Sequence, residues 1–251
     1  MEFIYLPKIS LWSGLSPLGK SIETPKGIFY WAGRAKTEAT IDGTIGVAQD
    51  DDGTISHIPL AEEWLGENFL QKSPKGKVFG YAPIEGVTSL REKWLKKMLE
   101  LAPGLAPHAS FPVVTNGLTP SLALATRLIL EKGQTIITAD KSWENYEHIY
   151  TGVQGIKIKN FQLFTKERTF NIQGIIEACR EVAQMQKKVN LLLNYPHNQT
   201  GFMPTKAQSD ELCRELHKLA KEFPQVPFVI LLDDAYECYV YVPAALQDSM
   251  L

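Results

Sequence analysis

Several groups of polar residues in this 251-residue chain directly follow short apolar runs, and their types suit the binding of a small charged molecule. Val229-Ile230-Leu231-Leu232 leads into Asp233-Asp234-Ala235-Tyr236, which sets an acid and, three residues later, a phenol just after a buried strand. A carboxylate there needs a partner, because burying an unpaired charge is costly. A protonated ring nitrogen on a cofactor would serve, and so would the backbone of a following segment capped by Asp233. In Thr115-Asn116-Gly117-Leu118-Thr119-Pro120-Ser121, a glycine and hydroxyls at a strand-to-helix junction leave N–H and O–H donors aimed at an anion. That is the usual arrangement for phosphate at a helix amino terminus, although the same residues also suit a plain helix cap. No Gly-Lys-Ser/Thr follows, so the segment is not a P-loop.

Two more segments complete the polar set. Asn194-Tyr195-Pro196-His197-Asn198-Gln199-Thr200-Gly201 is a polar loop directly after Leu191-Leu192-Leu193. His197 reads as a loop histidine rather than a catalyst or ligand, since no second histidine or acid stands at metal spacing, and no metal site is expected. Asn198-Gln199-Thr200 matches the glycosylation pattern but is discounted without a secretory signal. Ser142-Trp143-Glu144-Asn145-Tyr146 places an aromatic on a loop, where it either plugs the core or offers a stacking face to a planar ring.

The elements that must position these residues alternate between strand and helix from Pro59 onward. Leu90, Trp94, Leu95, Met98 and Leu101 recur at i, i+4, i+5, i+8 and i+11, a single helical face behind a Ser89 cap. Phe111 to Thr115 reads as a strand and Pro120 to Leu130 as a helix. Ile136-Ile137 and the alternating Ile156 to Phe164 read as strands. Asn171 caps a helix through Met185, Val189 to Leu193 is a strand, and Thr205 to Phe223 is a helix. Val226 to Leu232, apolar on both faces, suits a central parallel strand covered by helices. Residues up to about Pro59 are rich in Gly, Pro, Ser and Thr and read as a long arm with a few short strands. The expectation is an α/β fold, a three-layer α/β/α arrangement around a mostly parallel sheet. In such sheets the ligand crevice lies outside the carboxyl ends of the strands, where Thr115, Asn116, Asn194 and Asp233 all fall.

Composition narrows the class. With 44% hydrophobic and 22% charged residues the chain can bury a sizeable core, which argues against disorder. A net charge of -2 gives no chain-wide attraction to nucleic acid or an anionic membrane. No apolar run reaches the roughly 20 residues of a membrane span, and the amino terminus lacks the pattern of a secretory signal, so a cytoplasmic location is expected. Cys179, Cys213 and Cys238 are odd in number and far apart, and are expected as reduced thiols in or near the core.

Taken together, these motifs resemble the fold-type I pyridoxal-phosphate enzymes, specifically aminotransferases of the aspartate/aromatic class I group. The resemblance runs from about Ile41 to Tyr236. Ile41-Asp42-Gly43-Thr44-Ile45-Gly46 with Asp51-Asp52-Gly53 looks like the amino-terminal segment that closes over substrate, with Ile45 and Gly46 lining the site. Phe79-Gly80-Tyr81-Ala82-Pro83-Ile84-Glu85-Gly86 is similar to the family's tyrosine-containing loop. If Tyr81 reaches the cofactor phosphate of a neighbouring subunit, as the resemblance implies, the active form is a homodimer. The resemblance further makes Gly117, Leu118 and Thr119 the phosphate cradle and Trp143 the ring stacked on the pyridine. Asn198 and Tyr236 become donors to the cofactor's phenolic oxygen, and Asp233 the partner of the pyridine nitrogen. It implies residues 1–58 as an arm and part of a small domain, and residues 59–251 as the cofactor-binding large domain of the transferase fold. Amino acids and 2-oxo acids would be the substrates.

Two departures stand out. Asn198-Gln199-Thr200-Gly201 replaces the family's Asn-Pro-Thr-Gly. The family's Schiff-base lysine falls beyond Leu251, so no catalytic residue is expected within the chain, which reads as truncated and inactive by itself. Lys206, Lys218 and Lys221 belong to a helix before Asp233 and do not substitute. A non-catalytic cofactor-binding or assembly domain of the same fold, and a related lyase on the same cofactor, are the competing expectations. A dinucleotide-binding domain is disfavoured because no G-x-G-x-x-G follows a strand.

Overall fold

The computed structural model describes residues 27–44, 46, 48–56, 58–65 and 82–247, together with Lys20 and Met250. The chain divides into two compact units, one within 24–88 and one from Ser89 onward. In the first unit, helices α1 (Ile28–Glu38) and α2 (Pro59–Leu65) flank a turn closed by the antiparallel bridge of Gln49 with Ile55. The sequence reading expected an arm with short strands here, and α1 corrects it. Its Gly27 start carries no side-chain cap and, among its described side chains, Ala32 is the one buried apolar residue, so it lacks the usual signals of a helix. The Arg34 Nη2 to Glu38 Oε2 pair at 2.5 Å spans one of its turns.

Helix α3 (Thr88–Leu101) forms where the apolar spacing places it, but buries none of its residues: Leu90 and Trp94 are half exposed. The second unit continues with α4 (Leu118–Ile129) and β1 (Thr135–Ala139). A π-helical segment (Glu147–Val153) precedes β2 (Lys157–Phe161), and α5 (Ile172–Gln186) precedes β3 (Val189–Asn194). Helix α6 (Lys206–Glu222) and β4 (Phe228–Asp233) complete the series. The four strands form one parallel sheet in the order β2-β1-β3-β4, in register from Val189 opposite Phe228 to Asn194 opposite Asp233.

Alternation along the strands explains the layers. Ile137, Ala139, Val189, Leu191 and Leu193 point to one face, where they pack with Ile175, Cys179 and Val182 of α5 and Leu212, Leu216 and Leu219 of α6. Ile136 and Leu192 point to the other, against Leu122 of α4 and Tyr146, Ile149 and Tyr150 around the π-helical segment. The result is the expected α/β/α arrangement with β3 buried along its whole length. Both long helices are capped as their sequences indicate. Asn171 Oδ1 accepts from Gly174 N at 3.0 Å, and a Cβ at Gly174 would fall 2.4 Å from Asn171 Nδ2, so the cap requires glycine there. Thr205 and Gln208 exchange side-chain and backbone hydrogen bonds in a capping box.

Three expectations are corrected. Phe111 to Thr115 is no strand: Pro112 has no N–H to give a ladder, and the run is held by Arg91, whose Nε donates to Pro112 O at 2.5 Å while its guanidinium lies 4.3 Å from the Phe111 ring centre. Strand β4 ends the sheet among the described residues instead of lying centrally, and Ile230 is 43% exposed. Of the cysteines, Cys179 is buried, with its thiol pushed up to about 12 by desolvation, whereas Cys213 and Cys238 are exposed. Among the described residues, no helix is long and apolar enough to cross a membrane.

Candidate active site

The carboxyl ends of β3 and β4 and the turn after β1 deliver their polar residues to one cavity of about 120 Å³. Leu118, Trp143, Asn198, Asp233 and Tyr236 line it, joined by Tyr146, Asn194 and Ala235. Leu118 and Ala235 also wall an adjoining space of about 520 Å³, onto which Gly117, Thr115, Ser121 and Arg91 open.

Asp233, the last residue of β4, is 2% exposed. Its Oδ2 accepts a hydrogen bond from Tyr146 Oη, and its Oδ1 accepts from Ala235 N at 3.3 Å. The parallel register sets Asn194 beside it: Asn194 Nδ2 donates to Asp233 O at 2.9 Å, and Asn194 Oδ1 accepts from Asn198 N at 3.0 Å. Tyr236 Oη donates to Asn198 Oδ1 at 3.2 Å. One chain of hydrogen bonds thus fixes the loop carrying Asn198 to the strand end carrying Asp233, a preorganisation that rigid strand ends make possible.

The aromatic wall is ordered in the same way. Trp143 meets Tyr146 edge to face at 5.6 Å, and Tyr146 stacks on Tyr150 at 5.7 Å. Burial, and then the charge of Asp233, push the Tyr146 phenol far above its ordinary range, so it stays protonated and remains a donor to that carboxylate. At the other end of the cavity, α4 starts at Gly117 with no side-chain cap. Its first-turn N–H groups and the helix dipole are therefore available to an anion. Gly117 takes φ +89°, a backbone conformation that disfavours any side chain. Thr115 Oγ1 bonds to Ser121 Oγ and donates to Gly117 O at 2.8 Å, which holds the turn in shape.

Of the residues singled out from the sequence, Leu118, Trp143, Asn198, Asp233 and Tyr236 meet in the cavity, while Gly117 lies on its neighbour. Thr119 sits in the exposed first turn of α4 and lines neither space. Gly46 belongs to the first unit, and Ile45 and Tyr81 lie outside the described residues. His197 is 3% exposed and shares a hydrogen bond with Thr200 Oγ1 at 2.9 Å; burial lowers its pKa, which favours the neutral ring. Sequence reasoning gave Tyr146 no role and placed Asn194 at the crevice without a partner. Tyr146 stands one helical turn after Trp143, a spacing that puts both rings on one face. Asn194 is a polar residue directly after Leu191-Leu192-Leu193, and its register with Asp233 was not visible.

These residues offer a carboxylate for a cationic ring, an indole face, hydroxyl and amide groups for a phenolic oxygen, and free N–H groups for a phosphate. That donor set fits pyridoxal phosphate.

The sequence and fold are similar to those of known proteins. The sequence model of the family described as aminotransferase class I and II matches residues 53–248. Aspartate aminotransferase of Sulfurisphaera tokodaii is 23% identical over 202 residues, 78% of this chain and 44% of that protein. The mitochondrial aspartate aminotransferase of Saccharomyces cerevisiae is 27% identical over 227 residues, 81% of this chain and 49% of that protein. The chain therefore spans about half the length of the curated relatives it matches. Among solved structures, an aminotransferase from Anaerococcus prevotii superposes with a TM-score of 0.68 at 23% identity, covering 87% of this chain and 53% of that one. A Thermus thermophilus aspartate aminotransferase mutant gives 0.63 at 20% identity, covering 93% and 56%. The fold is shared with these structures, and the family match, across most of its length, shows that the chain belongs to the class I and II aminotransferases.

Proposed function

We propose that this chain supplies the cofactor-binding part of a pyridoxal-phosphate-dependent aminotransferase that moves an amino group between an amino acid and a 2-oxo acid. The observation that carries the reading is the buried Asp233 carboxylate at the end of β4, facing the same cavity as Trp143, Asn198 and Tyr236. When bound, the cofactor supplies an electron sink for the breaking of an amino acid's Cα–H bond.

The protein's own groups divide that work. Asp233 would hold a proton on the ring nitrogen, and the Tyr146 hydroxyl keeps the carboxylate oriented while it does so. Tyr236 and Asn198, joined to each other, would bind the phenolic oxygen. Trp143 would cover one ring face, and the uncapped start of α4 with Gly117 and Leu118 would bind the phosphate. Thr119, through its backbone N–H in the first turn of α4, belongs to the same cradle. Ile45 and Gly46 as substrate contacts, and Tyr81 reaching the phosphate of a second subunit in a homodimer, are parts of the same proposal. The aspartate aminotransferases among the relatives make aspartate the first amino donor to try.

Titration of pyridoxal phosphate into the chain, followed by quenching of tryptophan fluorescence, tests the reading. Saturable binding is expected, weakened about 30-fold or more by Asp233→Ala, the usual loss when one partner of a buried charge pair is removed. Absence of binding, or equal binding by the variant, would overturn it.

A further inference from the structure

The loop that carries Asn198 departs from the family pattern at Gln199, and the structure shows what occupies that place. In the amide orientation that satisfies both neighbours, Gln199 Nε2 donates to Lys141 O at 2.9 Å and Gln199 Oε1 accepts from Trp143 N at 3.1 Å. One side chain thus bridges the two ends of the Lys141-Ser142-Trp143 turn from the opposite loop. The turn is also held by Tyr146 N, which donates to Trp143 O at 2.9 Å, by the edge-to-face contact of the two rings and by His197 bonded to the Lys141 backbone, but Gln199 takes up its two ends at once. Lys141 is exposed, with its ammonium turned to Asp140 at 2.7 Å, and the first turn of the following helix begins only after Trp143. On the opposite loop, Asn198 N is tied to Asn194 Oδ1, and His197 is buried against the Lys141 backbone with its own N–H donated to Phe202 O. The Asn198 loop is therefore the anchored partner, and the Trp143 turn is held to it.

We infer that Gln199 is a positioning residue for Trp143: its amide clips the turn bearing the indole to the loop bearing Asn198, so that the two side chains keep a fixed separation across the cavity. A proline at this position, as the family pattern has, stiffens its own loop but has no amide to reach the neighbouring turn. The chain has exchanged rigidity within one loop for a bond between two. The inference rests on the proposed cofactor site for its effect on affinity, but the clip itself exists without any ligand.

Two measurements on the whole chain decide the matter separately. The first needs no cofactor. Amide hydrogen exchange of Trp143 N–H is expected to be slowed in the wild type and about tenfold or more faster in Gln199→Leu, with Leu163 N–H, bonded to Asp140 Oδ1, as the unchanged reference. Gln199→Glu keeps an oxygen for Trp143 N–H and loses the donor to Lys141 O, so Trp143 should retain most of its protection. An unprotected Trp143 amide in the wild type, or one indifferent to Gln199→Leu, overturns the inference. The second is a double-mutant cycle on pyridoxal phosphate affinity. Gln199→Leu is expected to weaken binding about three- to tenfold, the worth of one or two exchanged hydrogen bonds. In a Trp143→Ala background it should have no further effect. An equal penalty in both backgrounds would show that Gln199 acts elsewhere and overturns its role through the indole. Failure of the wild type to bind would sink the proposed cofactor site and leave the exchange result to judge the clip.

Discussion

Tyr146 and Tyr150 invite the same substitution with opposite results. Both rings are buried in the layer between the sheet and α4, they stack on each other, and they stand one turn apart. Tyr146 Oη donates to the buried carboxylate of Asp233, whereas Tyr150 Oη has no hydrogen-bond partner among the described residues. Replacing either by phenylalanine keeps the ring and its packing, so no cavity is made. For Tyr146→Phe, the loss of a hydrogen bond to a charged group, with an acceptor left buried, is expected to cost about 1.5–3 kcal/mol of stability. For Tyr150→Phe, removing a desolvated hydroxyl that gains nothing in return should be neutral or stabilise by up to about 1 kcal/mol. Urea unfolding followed by tryptophan fluorescence measures both as shifts in midpoint at constant slope. Equal losses in the two variants, or an unchanged midpoint for Tyr146→Phe, would refute the assignment of the Asp233 partner.

High pH should expose the same burial. Desolvation raises Tyr146, Tyr150 and Tyr195 above the ordinary tyrosine range. Below about pH 10 both folded and unfolded chains keep these protons, and above it the unfolded chain releases them first. Stability should therefore hold up to that point and then fall by about 1.4 kcal/mol per pH unit for each such tyrosine. Tyr150→Phe should flatten the decline by one tyrosine's share, measured by denaturation at stepped pH. At the start of α6, Thr205→Ala removes the hydroxyl that accepts from Gln208 N at 3.2 Å and is expected to cost about 1 kcal/mol in the same unfolding assay.

Much of the second unit could be read in the sequence because its signals are local. Asn171 and Thr205 mark two helix starts by side-chain chemistry, and the largely apolar run from Val189 to Leu193 marks a strand covered on both faces. The site was legible for a related reason: Asp233, Asn198 and Trp143 are polar or aromatic residues placed just past strand ends, where a parallel sheet gathers them. What could not be read depends on neighbours. The Phe111 to Thr115 run has strand composition but no strand beside it, so pairing, which composition does not encode, decides against it. Strand β4 is as apolar as a central strand, and only the sheet order shows it at the margin. The Tyr146 bond to Asp233 joins residues 87 positions apart and follows from the packing of Tyr146 over Ile136 and Leu192 on the sheet, not from any motif.

That marginal strand has a practical consequence. Along its outer side β4 offers a row of backbone donors and acceptors beside a largely apolar trough of about 790 Å³ bounded by Trp94, Leu101, Leu216 and Ile230. The trough also carries the charged side chains of Lys97, Lys206, Asp234 and Glu237. Among the described residues, a strand edge beside such a trough is a template for other extended polypeptides, including further copies of itself. Ile230→Lys, at the strand's most exposed apolar position, is the smallest change that would blunt it.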